Sequence, residues 1–173
     1  MATTLAEAQQ GSGRDARVLT VIDRDLRTRP FSAPFHTLAA GIDEYVLKDS
    51  SFGAPVSVLR DAAPGRLLKK IPPHALIHLH GYNGAISLDE LRRLGEDHHI
   101  VWTLRDMNPY TGGCHYSLGC ASFVSDCSGC PAVKPAFRAT ITRQHQKKLE
   151  AFGALGNLSL VGRGHGRHWL VRG

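Results

Sequence analysis

Two short apolar runs joined by one helix-length segment constrain this chain more than anything else in it. Ala75-Leu-Ile-His-Leu-His80 alternates, with Ala75, Ile77 and Leu79 on one face and Leu76, His78 and His80 on the other. Ile100-Val-Trp-Thr-Leu104 is the second run. Between them Ser87 and Glu90 form the pattern of a capping box, and Leu88, Leu91 and Leu94 follow at helical spacing. Strand, helix and strand within about 30 residues predict a βαβ unit with parallel strands and a right-handed crossover. The chain is therefore expected to be an α/β protein.

The flanks extend that frame. Residues 1–16 are polar, lack periodicity and predict disorder. Arg17-Val-Leu-Thr-Val-Ile22 predicts a strand, and Leu38, Ile42 and Tyr45 a short helix over about 35–45. Val56-Ser-Val-Leu59 reads as strand-like. Beyond Pro135, the residues Phe137, Ile141, Leu149, Phe152 and Leu155 predict a long helix with those side chains as its buried stripe. Leu158-Ser-Leu-Val161 predicts one more strand. The Gly- and Arg-rich segment 162–173 predicts no regular element. One domain over 17–161 is the expected organisation.

Composition narrows the function classes. Twenty-one Lys and Arg against 15 Asp and Glu leave a net charge of +6, but the basic residues are scattered, and no nucleic-acid motif accompanies them. A phosphate-bearing ligand or a membrane face are the partners such a balance favours; nucleic acid is not expected. No apolar run reaches the ~20 residues of a membrane span, and the N-terminus lacks a secretory pattern, so the chain reads as cytoplasmic.

In α/β sheets, ligands gather outside the carboxyl ends of the strands. That rule places His80-Gly81-Tyr82-Asn83-Gly84 and Arg105-Asp106-Met107-Asn108 at one rim. Gly81 and Gly84 would let the backbone approach a ligand, while Asn83, Asp106 and Asn108 offer hydrogen bonds to sugar hydroxyls. Asp106 is the candidate general base or hydroxyl-orienting group. The structural readings stand beside these: a satisfied core histidine for His78, a turn-capping role for Asp106. All four cysteines, Cys114, Cys120, Cys127 and Cys130, crowd one stretch with spacing Cys-x5-Cys-x6-Cys-x2-Cys. In a chain read as cytoplasmic, metal or buried thiols are favoured over disulfides, and a structural zinc on the four thiolates is one candidate. His115, beside Cys114, is an alternative ligand.

Ile77-His-Leu-His80, Ile100-Val-Trp-Thr-Leu104, Asp106-Met107, Pro109-Tyr-Thr-Gly-Gly-Cys-His-Tyr116, Gly119-Cys120, Cys127 and Cys130-Pro131 together resemble the N-terminal domains of the retaining, GT-B-fold glycosyltransferases of family 4 that build bacterial colanic acid and other exopolysaccharides. The resemblance is dense over 75–131 and looser to 161. It implies a Rossmann-like acceptor-side domain, the incomplete N-terminal half of a GT-B fold. Its acceptor would be a lipid-linked sugar at the cytoplasmic membrane face. The nucleotide-sugar would sit on a second domain, and transfer would retain configuration without an obligatory metal. His80, Gly81, Asn83, Gly84, Arg105 and Asn108 become the expected substrate contacts. Where the family carries His-Asp after the second strand, this chain has Arg105-Asp106, and an arginine cannot act as a base. No counterpart of the family's N-terminal glycine-rich loop is present in this sequence, and neither is the donor domain. The expectation is thus a truncated glycosyltransferase, inactive without a donor-binding half. The alternative is a non-catalytic remnant or cysteine-cluster binding module.

Overall fold

The computed structural model describes residues 2–19, 32–59, 71–82, 86–164 and 167–172. The βαβ unit forms as its sequence requires. β1 (Ile77–Leu79) pairs in parallel with β2 (Ile100–Thr103), Leu79 lying opposite Trp102. The crossover helix, numbered α3 because α1 (Ala2–Gly11) and α2 (Ser32–Gly41) precede it, spans Leu88–Asp97. Its capping box is complete: Ser87 Oγ accepts from the Glu90 N–H, and the Glu90 carboxylate accepts from the Ser87 N–H. His98 ends it, and an imidazole nitrogen of His98 lies 2.9 Å from the Ala75 carbonyl, tying the helix exit to the entry of β1.

α4 (Arg138–Gly153) follows a single 3₁₀ turn at Pro135–Phe137 and leads into β3 (Leu158–Gly164). β3 joins β2 in parallel, with Ile100 opposite Leu158 and Thr103 opposite Val161. The fourth strand corrects the expectation of an irregular tail. β4 (Arg167–Arg172) folds back antiparallel on β3 from Gly164↔Arg167 to Ser159↔Arg172, giving a sheet of order β1-β2-β3-β4. Trp169-Leu170-Val171 supplies strand-favouring residues within the glycine- and arginine-rich segment, and pairing along β3 draws them into the sheet. α1 likewise replaces the disorder expected at the N-terminus. In the strand expected at 17–22, residues 17–19 carry no regular structure, and the rest lies outside the described residues.

Two apolar cores flank α4. One gathers Leu79, Tyr82, Leu91, Leu94, Ile100, Trp102 and Leu155 between the sheet and the helices. Tyr82, Trp102 and Phe152 meet edge to face there, with centroids 5.0–6.2 Å apart. The other lies under the loops and contains Leu47, Phe52, Val56, Val58, Val133 and Ile141 together with Cys114, Cys127 and Cys130. Main-chain bonds close this second lobe: Asp49 N–H to the Ala132 carbonyl, and Lys134 N–H to the Leu47 carbonyl. After α2 the helix widens into one π turn, Ile42–Leu47. That turn buries Asp43, whose carboxylate accepts from the Val58 and Leu59 N–H groups, and leaves Glu44 and Tyr45 exposed.

The expected apolar stripe packs inward at Phe137, Ile141, Phe152 and Leu155 but not at Leu149, and the buried face of α4 also takes polar residues. Ile141, His145, Lys148 and Ala151 are buried, whereas Leu149 is 50% exposed. A buried lysine needs partners, and they lie forty residues away.

Candidate functional site

β1 and β2 end side by side, so His80 and Arg105-Asp106 emerge at one sheet rim, as the parallel pairing dictates. Gly81 is exposed with open space around its Cα. Asn83 and Gly84 lie outside the described residues. The His78 and His80 rings stack at 4.3 Å, and His78 Nε2 lies 2.8 Å from Thr103 Oγ1 across the strand pair. His80 Nδ1 is buried and has no hydrogen-bond partner among the described residues. Burial, followed by the Arg105 charge, pulls the His80 imidazole below its ordinary value.

Burial also lowers His78, with the charge of His80 adding to it. The folded state therefore disfavours a proton that the unfolded chain accepts near pH 6.5. This contribution to stability is complete above that value and is lost as the pH falls below it. The urea midpoint should accordingly be lower at about pH 5.5 than at about pH 7.5, and the difference should shrink in His78→Gln.

Behind the rim the chain builds a hydrogen-bonded centre around Asn108, which is 0% exposed. Its N–H donates to Asp106 Oδ1 (2.9 Å), and its Nδ2 donates to the carbonyls of Gly113 (3.0 Å) and Ser57 (3.2 Å). Its Oδ1 accepts from the Tyr82 hydroxyl (3.1 Å) and from Lys148 Nζ (3.0 Å), which also reaches the Asn108 carbonyl (2.8 Å). Asn108, expected at the rim as a ligand contact, is thus placed inside the protein as the joint between β2, α4 and the Thr111–Tyr116 segment.

That joint sets the geometry of Asp106, His115 and Ser57. Asp106 Oδ2 lies 2.7 Å from His115 Nδ1, and His115 Nε2 lies 2.9 Å from Ser57 Oγ. Burial raises the Asp106 carboxyl. The His115 hydrogen bond, the Asn108 N–H and the positive charges of His115 and Lys148 outweigh it, so the group sits below its ordinary value and stays ionised. A carboxylate only accepts, so Nδ1 of His115 must carry the proton; in the neutral ring, Nε2 then accepts from the Ser57 hydroxyl. Asp106 therefore acts on its surroundings through His115, both of its oxygens being engaged.

Main-chain bonds fix the other two members. Ser57 N–H donates to the Gly113 carbonyl (2.8 Å), His115 N–H to the Pro55 carbonyl (3.1 Å), and Met107 N–H to the His115 carbonyl (3.0 Å). Ser57 and His115 form part of the wall of a cleft of about 590 Å³ whose other polar and aromatic walls are Thr37, Glu44, Tyr45 and Tyr116.

The cysteines divide. Cys114 Sγ and Cys130 Sγ stand 3.8 Å apart. The hydrogen bond between them, ahead of burial, pushes Cys114 up; the same bond, with the Ala132 and Val133 N–H groups, holds Cys130 down. Cys127 instead accepts from the Gly112 N–H at 3.4 Å. A tetrahedral tetrathiolate zinc has sulfur–sulfur edges of about 3.8 Å, given bonds of ~2.3 Å, and the Cys114–Cys130 pair has that spacing. Among the described residues, however, no group of three or more His, Cys, Asp or Glu is arranged to hold a metal ion. As placed, the residues do not make a metal cage.

Sequence reasoning singled out Asp106, but it missed Ser57 and Lys148 and weighed His115 only as a metal ligand. Ser57 and His115 are 58 positions apart, and no spacing rule connects them. Comparison with protein-family models, with curated proteins and with solved structures returns no match for this chain.

Proposed function

We propose that this chain is the acceptor-side half of a sugar-transferring enzyme of the GT-B, family 4 type, working with a donor-binding half that its own rim does not supply. The α/β frame with three parallel strands is compatible with a Rossmann-like domain. The observation that carries the reading is the rim itself. His80 and Arg105 lie just past the carboxyl ends of adjacent parallel strands, with a buried His80 nitrogen that has no hydrogen-bond partner among the described residues and an open glycine beside it. A cationic guanidinium beside an imidazole suits the phosphate of a lipid diphosphate sugar, and the net charge of +6 favours the anionic surface such a lipid occupies. No helix among the described residues is long and apolar enough to cross a membrane, so an acceptor in the bilayer would be met at its surface.

Catalysis needs donor and acceptor held together, so the chain by itself should bind the acceptor and transfer nothing. The test is an NMR titration with short-chain polyprenyl diphosphate sugars and, separately, with UDP- and GDP-hexoses. The reading expects saturable shifts at His80 and Arg105 from the former and none from the latter. Absence of saturable binding by every lipid diphosphate sugar overturns it. Saturable nucleotide-sugar binding by the chain alone overturns the division into two halves.

A further inference from the structure

We infer that Ser57, His115 and Asp106 form a nucleophilic site that accepts an acyl group from small, neutral esters entering the cleft beside α2. The site shares Asp106 with the strand rim but opens into a different cleft and uses neither His80 nor Arg105, so the inference stands or falls independently of the sugar-transfer reading. Three observations carry it. The nucleophile, base and orienting carboxylate form one unbroken hydrogen-bonded chain, 2.9 Å and 2.7 Å, drawn from three loop segments. The carboxylate is held ionised, which selects the tautomer of His115 that takes the Ser57 proton. The serine and the imidazole both line a cleft whose volume, about 590 Å³, is of ligand size.

The chemistry proceeds in two steps. Ser57 Oγ bonds to the ester carbonyl carbon while its proton passes to His115 Nε2; the carbon–alkoxy bond then breaks, and His115 returns that proton to the departing alcohol. Water adds to the acyl carbon with His115 again taking a proton, and Ser57 Oγ leaves and recovers it. Asp106 is the positioning residue, since it touches only His115 among these groups.

The surroundings set the substrate class. Glu44 on the cleft wall is paired with Lys48 at 2.6 Å, which leaves the wall without a free charge and suits a neutral ester, and Tyr45 and Tyr116, 82% and 54% exposed, offer aromatic surface to an apolar or sugar-borne acyl group. The N–H groups of Ser57, Val58 and Leu59 are spent on Gly113 and Asp43, so these amides provide no oxyanion hole. A missing hole donor costs roughly 10²–10³ in rate, which restricts the site to esters with good leaving groups and excludes amides.

The experiment uses the full chain and p-nitrophenyl acetate, reading nitrophenolate release and, by peptide mass mapping, the position of the acetyl group. The expected result is acetylation of Ser57. It is abolished in Ser57→Ala, retained as a thioester in Ser57→Cys, and slowed about a hundredfold in His115→Gln. Asp106→Asn should lower kcat about a hundredfold with KM unchanged, a split that mere loosening of the cleft would not give. Should Ser57→Ala fail to fold, the acetyl position in the wild type and the His115→Gln rate decide. Acetyl groups on lysines or the N-terminus alone, or equal rates in wild type and His115→Gln, overturn the inference.

Discussion

Asn108→Ala is expected to be among the most damaging single substitutions in this chain, costing about 4 kcal/mol of stability. The asparagine side chain is the partner of four groups at once: the Tyr82 hydroxyl, the Lys148 ammonium, and the carbonyls of Ser57 and Gly113. Removing it leaves these buried groups short of bonds, each at a cost of about 1–3 kcal/mol before relaxation. Lys148 makes the loss severe, because it is 0% exposed and its charge then keeps only part of its solvation. Conservative replacement by Asp should do less harm in this respect, supplying an acceptor to Lys148 while losing both Nδ2 donations. Equilibrium urea unfolding measures the effect. A change within about 0.5 kcal/mol, the range of ordinary surface substitutions, would mean that the joint is not a joint.

Gly112→Ala should be nearly as disruptive, at about 3 kcal/mol. The Thr-Gly-Gly-Cys-His-Tyr segment runs so close to α4 that a Cβ on Gly112 would sit 2.6 Å from the Ile141 carbonyl oxygen and collide with the Ile141 side chain as well. The first obstacle is helix backbone, which cannot rotate aside. Relief requires the segment to lift away from α4. Such a shift would stretch the Gly112–Cys127 contact and displace His115, three residues on, from Asp106. The expected signature is thus double: a lower thermal midpoint, and loss of p-nitrophenyl acetate turnover in whatever fraction remains folded. Gly153→Ala is the control. A Cβ there meets nothing within 4 Å, so it should not lower the thermal midpoint and should leave turnover unchanged.

How much of this was legible beforehand follows contact range. The capping box at Ser87 and Glu90, the alternation in β1 and the apolar run of β2 are local signals, and they fold as written. The parallel rim of His80 and Arg105 follows from them. β4 carries the strand-favouring run Trp169-Leu170-Val171, but the glycine- and arginine-rich context around it reads as irregular. The burial of α4 was misread where tertiary contacts override periodicity. His145 and Lys148 occupy the inward face, and Leu149, favoured by hydrophobicity, is half exposed. Lys148 goes inward because Asn108 receives it, and Asn108 is in place because Gly113 and Ser57 hold its amide. Ser57 itself looked like one polar residue in a short apolar run. Only the fold carries it to His115, and only that meeting gives Asp106 its role as a positioning group.

The most direct test of the account is the protonation of the His115 ring, because the rim-facing carboxylate, the Asn108 joint and the cleft chemistry all converge on it. Long-range proton–nitrogen NMR on uniformly labelled protein near neutral pH reads which ring nitrogen carries hydrogen. The geometry predicts a proton on Nδ1, donated to Asp106, and a change in that signal in Asp106→Asn. A ring protonated on Nε2 alone, or a signal indifferent to Asp106→Asn, would contradict it.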